Sequence, residues 1–314
     1  MGFVRVTPYV LLLITSAGCA MTAGDDLGSD DDGAAIGELT APFISYNGVS
    51  LNGVGLHGVS PDGVPLSGIA LQGVSTRRMS IGGMSIRRMS IDGSELTGIV
   101  GDEVLGGDEM VGTEMSGILS DGRALPMRIE SAEILSGASG DIWAYGVSYA
   151  QADGSWTPLC GSGSAIALTG IWNLAAGVAG GGAWSASSSA FTFGCRGAAL
   201  AECVELGYQP WASVSSTPLR DHHQACTRMI RADYCGDGTA WTEPGVQINL
   251  YDSLGIQSDS TSWRTDAEWL PDGARCIARM RDFRNGKPSC WHEKKKGACG
   301  SFDDGALLID EYRH

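Results

Sequence analysis

The chain has 314 residues, of which 46 are glycine, about twice the ordinary share of ~7%, and only 18% are charged against an ordinary ~25%. This composition disfavours coiled coils and long helix bundles, while 43% hydrophobic residues permit a sizeable core. A net charge of −15 argues against a sequence-independent grip on phosphate backbones, so no nucleic-acid partner is expected.

Residues 1–19 carry one positive side chain, Arg5, then the apolar run Val10-Leu11-Leu12-Leu13-Ile14 and the small residues Ser16-Ala17-Gly18 before Cys19. That is the order of an export signal, and the apolar run is too short to span a bilayer as a mature helix. Small residues before a cysteine resemble the lipobox of bacterial lipoproteins, which implies lipid on Cys19 and a membrane partner at the outer membrane or cell surface. Ser16 stands where leucine is usual, and cleavage after Ala20 or Ala23 would instead release a secreted protein. Residues 20–43 hold Asp25, Asp26, Asp30, Asp31 and Asp32 among Gly, Ala and Ser, and read as a solvated tether.

Within residues 44–100 a period of five emerges. Leucine or isoleucine recurs at Leu51, Leu56, Leu66, Leu71, Ile81, Ile86, Ile91 and Leu96, and glycine follows two residues later at Gly53, Gly58, Gly63, Gly68, Gly73, Gly83, Gly93 and Gly98. Arg78 and Arg88 take the glycine place in two repeats. A period of five fits neither helix nor strand; it fits a stacked solenoid or a Gly-rich linker with a repetitive history. The order Val49-Ser50-Leu51-Asn52-Gly53 resembles the pentapeptide-repeat pattern, which implies a four-sided β-helix, although Met79, Met84 and Met89 are large for it. Residues 101–120, with Asp102, Glu103, Asp108, Glu109, Glu114 and no basic residue, read as a second acidic connector.

Residues 121–314 contain all nine tryptophans and eight of the nine cysteines, and form the expected folded domain. With Cys19 assigned to lipid, the even set Cys160, Cys195, Cys203, Cys226, Cys235, Cys276, Cys290 and Cys299 reads as a disulfide framework, whose connectivity stays open. No Cys-x-x-Cys pair occurs, so neither a metal nor another cofactor is expected, despite His222, His223 and Cys226. Trp143, Tyr145, Val147 and Tyr149 alternate with smaller residues before the Asp153-Gly154 turn and Trp156, which predicts a hairpin. Helices are expected over 198–206 and 221–234, a strand over 246–251 and a short helical turn over 266–270. The expected fold class is α+β, β-rich and disulfide-stapled, behind a short β-helix or disordered repeat segment.

Arg231-Ala232-Asp233-Tyr234-Cys235-Gly236-Asp237-Gly238 resembles the signature of the ADYC domain family. Upstream Phe191 to Cys195, Gly207 to Trp211 and His223 to Cys226 agree with it, as do Gly245 to Asp252 and Gly273 to Cys276 downstream. The resemblance covers about 120–314; it implies an exported bacterial protein and carries over no catalytic residue.

Two readings of Asp233 follow from the residues. In the first it is a buried carboxylate held by backbone N–H groups or an arginine, beside a disulfide that fixes a helix end. In the second, Asp233 and Asp237 form an acid/base cluster with His222 or His223 for hydrolysis. A calcium ion shared by Asp233, Asp237 and Glu243 is a further alternative. No nucleophile elbow, P-loop or His-Glu-x-x-His motif occurs. Trp156, Trp184, Trp241 and Trp263 lie near turn residues and are candidates for stacking on a glycan or another envelope component, or for core packing. Lys294-Lys295-Lys296, between Cys290 and Cys299, reads as a solvated loop, with contact to anionic lipid or polysaccharide as the alternative. The leading expectation is a surface lipoprotein that binds without catalysis; the second is an extracytoplasmic hydrolase.

Overall fold

Strands whose side chains alternate between a buried and a solvated face must close on themselves or be covered, and this chain does both. The computed structural model describes residues 44–46, 48–135, 142–284, 286–296 and 298–313. Cys19 and the acidic tether lie outside the described residues. In chain order the principal strands begin with β1 (Ile44–Tyr46), β2 (Leu71–Ile81), β3 (Arg87–Asp92), β4 (Glu95–Val100) and β5 (Glu103–Gly106). They continue with β6 (Thr113–Leu119), β7 (Ala124–Leu135), β8 (Ile142–Ala150), β9 (Ala165–Thr169) and β10 (Ala190–Cys195). Helices α1 (Ala199–Glu205) and α2 (Arg220–Ile230) precede β11 (Gln247–Asp252), β12 (Arg264–Leu270), β13 (Gly273–Ile277) and β14 (Leu308–Arg313).

Six strands form a closed antiparallel barrel in the order β8, β9, β10, β2, β6, β7, and β7 returns to β8 with Met127 opposite Tyr149 and Leu135 opposite Ile142. Along β6 and β7, Met115, Leu119, Leu125, Met127 and Ile129 are buried, as alternation demands. Tyr145, Tyr149, Phe191 and Phe193 complete the filling at 0–1% exposure. So narrow a barrel has room for its own side chains and no lumen for a ligand. β9 and β10 are buried on both faces: Ala165, Ala167, Phe191 and Phe193 face the barrel core, whereas Ile166 and Leu168 belong to a second core.

That second core lies beneath α1 and α2 and the five-stranded antiparallel sheet β1, β11, β14, β12, β13. Leu200, Val204, Met229 and Ile230 from the helices meet Ile248, Leu250, Trp269 and Leu308 from that sheet, each under 1% exposed. At about 1.5–3 kcal/mol for each large apolar side chain buried, this layer joins helices and sheet. Among the described residues no helix is long and apolar enough to cross a membrane.

With 41% strand and 10% helix around a closed barrel, the fold is β-rich and not the expected α+β class. The helices are two short elements on a β framework. The expected helical turn at 266–270 is also overturned: this run is β12, with Ala267 and Trp269 at 0% exposure and Asp266 buried between partner strands.

The pentapeptide β-helix is likewise corrected. A solenoid coil bonds to the coil one turn away, but here Ala152 N donates to Val59 O, Cys195 N to Asn52 O and Leu200 N to Leu51 O. The repeat segment therefore lies along the barrel and α1, its middle repeats become barrel strand β2, and its last ones form β3 and β4 of a separate three-stranded sheet. The period survives as local geometry. Gly53, Gly58, Gly63, Gly68, Gly83 and Gly93 all have positive φ, and so do Arg78 (58°) and Arg88 (53°) at the same step of the period. Eight of the repeats thus turn a left-handed corner, whereas Gly73 and Gly98 at the same step lie in strands without positive φ. Leu56, Leu66, Leu71, Ile86 and Leu96 enter the barrel core, while Leu51 enters the other. In the stretch 101–120, expected as a connector, the structure has strands β5 and β6, the latter within the barrel.

Candidate functional site

The signature Ala232-Asp233-Tyr234-Cys235 follows α2 directly. Ala232 takes φ 50°, a left-handed residue that ends the helix and turns Asp233 inward. Asp233 is 0% exposed. Its carboxylate accepts from Asp237 N at 3.1 Å, from Gly238 N at 2.9 Å and from Arg228 Nη1, with Arg231 Nη1 at 3.8 Å. Burial raises its pKa above the ordinary carboxylate value, and Arg228 and Arg231 oppose the rise. The two arginines reach further: Arg228 donates to Gly181 O and to Pro271 O at 3.2 Å, and Arg231 to Gly238 O at 2.6 Å and Val49 O at 2.9 Å. The motif thus ties α2 to the 181 loop, the β12–β13 turn and the start of the repeats. Gly236 is obligatory here, because a Cβ on it would lie 1.9 Å from Asp272 O.

Tyr234 points the other way, into the five-stranded sheet. Its ring stacks on Trp269 at 5.3 Å, its hydroxyl donates to Asp266 Oδ1 at 2.8 Å, and Arg281 N donates back to that hydroxyl at 3.1 Å. Arg281 donates from Nε to Asp266 at 2.6 Å and from Nη2 to Asp310 at 2.5 Å, and Trp269 Nε1 donates to Asp310 at 2.6 Å. Asp266, Arg281 and Asp310 are all 0% exposed in their side chains. Burial, then the neighbouring Asp266, raises the Asp310 pKa well above its ordinary value, against the pull of Arg281. Sequence reasoning missed this triad. Its signal was an acidic residue inside apolar strand runs, at Asp266 before Ala267 and at Asp310 after Ile309.

The expected acid/base residues do not converge. His222 and His223 lie in the first turn of α2, about 12 Å along its axis from the far end that leads to Asp233. His222 stacks on Tyr208 at 6.4 Å, and burial lowers its pKa against Asp252 and Asp221. His223 is fully buried, bonded through Nε2 to Leu200 O at 3.0 Å and edge-on to Trp172. Asp237, half-buried, closes a turn by accepting from Thr239 N, and Glu243 pairs with Arg284. Among the described residues no group of three His, Cys, Asp or Glu side chains could hold a metal ion.

Burial pushes the His223 pKa down to about 3, against the hydrogen bond to Leu200. The folded state therefore keeps this imidazole neutral while the unfolded state takes a proton below about 6.5. Its contribution to stability is complete above pH ~6.5 and is lost as pH falls toward ~3, roughly 3 kcal/mol between pH ~7 and ~4. His223→Gln, which keeps a donor for Leu200 O, should flatten the urea midpoint by that amount over the same interval.

The eight cysteines pair as Cys160–Cys195, Cys203–Cys226, Cys235–Cys290 and Cys276–Cys299. They join the barrel edge, the two helices, the signature motif and the five-stranded sheet. None of the nine tryptophans is fully exposed: Trp172 and Trp269 are buried and the others half-buried. Arg128 lies over Trp156 at 4.4 Å and Arg220 over Trp184 at 4.3 Å, while Trp241 packs against the helix core. Trp263 is half-buried at the start of β12. Of the lysine run, Lys294 donates to Tyr234 O and Lys295 to Ala278 O, and Lys296 is exposed.

A closed barrel and a covered sheet, stapled locally by four disulfides, make a β-rich protein, and the disulfides fit an extracytoplasmic location. The ADYC domain model matches residues 107–283, more than half of the chain, and the chain belongs to that family. No curated protein and no solved structure matches it. The matched residues supply five barrel strands; the sixth, β2, precedes them, and β14 of the sheet follows.

Proposed function

We propose that this chain is a non-catalytic extracytoplasmic module, held at the cell surface by lipid on Cys19, whose ADYC domain binds or braces an envelope component such as a glycan. The observation that carries the reading is the internal use of the signature's chemistry. Asp233 is saturated by two arginines and two backbone N–H groups, Tyr234 is locked to Asp266, and Cys235 is in a disulfide. An active carboxylate needs reach to a substrate, and these have none. The seven half-buried tryptophans favour a glycan within that reading, since a ring half open to solvent can still stack on a sugar face.

The test is incubation of the full chain with envelope polysaccharide fragments, followed by chromatography of the fragments and by a pull-down. Binding with no new fragment is expected, unchanged in His222→Gln and Asp237→Asn. Release of a product that either substitution abolishes would sink the proposal in favour of a hydrolase. In parallel, the wild type should enter the detergent phase in a Triton X-114 partition and Cys19→Ala should stay in the aqueous phase; no difference between them removes the lipid anchor.

A further inference from the structure

Two pairs of arginines, close together in sequence, form a concentration of positive charge that holds no carboxylate among the described residues. Arg77, Arg78, Arg87 and Arg88 are all exposed, and residues 77–88 contain no acidic residue in a chain of net charge −15. Eight arginines elsewhere hold carboxylates. Among the described residues none of these four does; Arg87 donates to Gly101 O, beside an open depression lined by Arg87, Arg88, Ile99, Gly101 and Asp102.

The two pairs are brought together by a hairpin. Ser80 pairs with Ser85 and Ile81 with Met84, and Ile86 N donates to Met79 O at 2.9 Å, so the hairpin turns the chain back and the Arg87–Arg88 pair follows directly on the strand that returns beside Met79. Each pair also sits at a register shift, between Ser75 and Ser80 on one side and between Arg87 and Ser90 on the other. A bulge takes residues out of the ladder and re-aims their side chains. Arg78 and Arg88 adopt positive φ where other repeats place glycine, an arrangement that disfavours any residue with a Cβ. Arginine thus stands twice at a backbone conformation that glycine adopts without strain. At the hairpin tip, Gly82-Gly83 presents Met84 at 59% exposure.

We propose that hairpin 77–88 docks on an anionic lipid surface, its four guanidinium groups on headgroup phosphates and Met84 in the interfacial layer. Arginine forks match phosphate oxygens in pairs, and a flexible thioether suits a disordered acyl boundary. A phosphate polymer or the chain's own aspartate tether offers the charge but nothing for the methionine. The proposal rests on the extracytoplasmic placement and not on lipid at Cys19 or on glycan binding.

The experiment is co-sedimentation of the chain bearing Cys19→Ala with vesicles containing phosphatidylglycerol, compared with phosphatidylcholine alone. Binding to the first and not the second is expected. Each arginine near such a surface contributes roughly five-fold, so Arg78→Gly with Arg88→Gly should lower binding about 30-fold. That variant relaxes two left-handed residues, so its Tm should be unchanged or raised, which separates lost binding from lost folding. Met84→Ser should weaken vesicle binding and leave affinity for soluble polyphosphate untouched. Equal binding to both vesicle types overturns the proposal, as does binding indifferent to the double substitution. Polyphosphate binding as tight as that to vesicles, with no effect of Met84→Ser on either, overturns the lipid assignment in favour of a soluble phosphate polymer. Binding that emerges only after residues 20–43 are removed overturns it too, by making the acidic tether the occupant.

Discussion

Asp233→Ala should destabilise the fold by about 3–5 kcal/mol, the cost of leaving one member of a buried ion pair without its partner. Arg228, 2% exposed, would keep its positive charge beside Gly181 O and Pro271 O with no carboxylate to balance it. Asp237 N and Gly238 N would lose their acceptor as well. Asp233→Asn retains an oxygen for one of those N–H groups but turns an amide toward a guanidinium, so roughly half the loss is expected. Adding Arg228→Met to Asp233→Ala should recover part of the stability, because the uncompensated charge is then gone. Asp237→Ala, which only opens a half-buried turn, should cost about 1 kcal/mol or less. Urea midpoints by circular dichroism rank the four variants. A catalytic Asp233 would give the opposite pattern, with Asp233→Asn as stable as wild type.

Much of this could be read in the chain, and what could not has a physical cause. The period of five states a local fact, a recurring corner, and left-handed φ is found at Gly53, Gly58, Gly63, Gly68, Arg78, Gly83, Arg88 and Gly93 but not at Gly73 or Gly98, which lie in strands. It says nothing of what covers the corners. A solenoid requires the partner about twenty residues away, whereas Val59 and Asn52 find theirs at Ala152 and Cys195, and no local pattern encodes such distances. The same applies to the cysteines: an even set was legible, the pairing of Cys235 with Cys290 was not, because it depends on how the segment after β13 returns to the end of α2. Of the readings the sequence left open for Asp233, the structure has a buried carboxylate beside a disulfide, with Arg228 rather than Arg231 as its nearer cation. The helical turn expected at 266–270 hid the triad, since a misassigned period turns Asp266 from an interior strand residue into a surface one.

That triad yields the other large effect. Arg281→Met should cost about 3–5 kcal/mol, because Asp266 and Asp310 would face each other in a dry site without the guanidinium that bridges them. Burial alone would lower the Arg281 pKa; Asp310 and Asp266 outweigh it, so the group is held positive more firmly than in water. One cation between two carboxyl groups balances only if one carboxyl keeps a proton, and Asp310 is the one whose pKa is raised. A carboxyl protonated in the fold and free to ionise when unfolded contributes stability that is complete below its ordinary value of 3.8 and is lost as pH rises through the folded value. Asp310→Asn carries no titrating proton and forfeits one strong hydrogen bond, from Arg281 or Trp269, for a cost of about 1.5–3 kcal/mol at pH ~4. As pH rises, wild type should lose ground against this variant, and the gap between their urea midpoints should narrow from pH ~4 to ~8. A gap that widens with pH would mean that Asp310 is ionised in the fold and that the proton balance of the triad is wrong. The Arg281→Met variant bears on the same point from the other side, since losing the cation should deepen the preference for acid conditions rather than remove it.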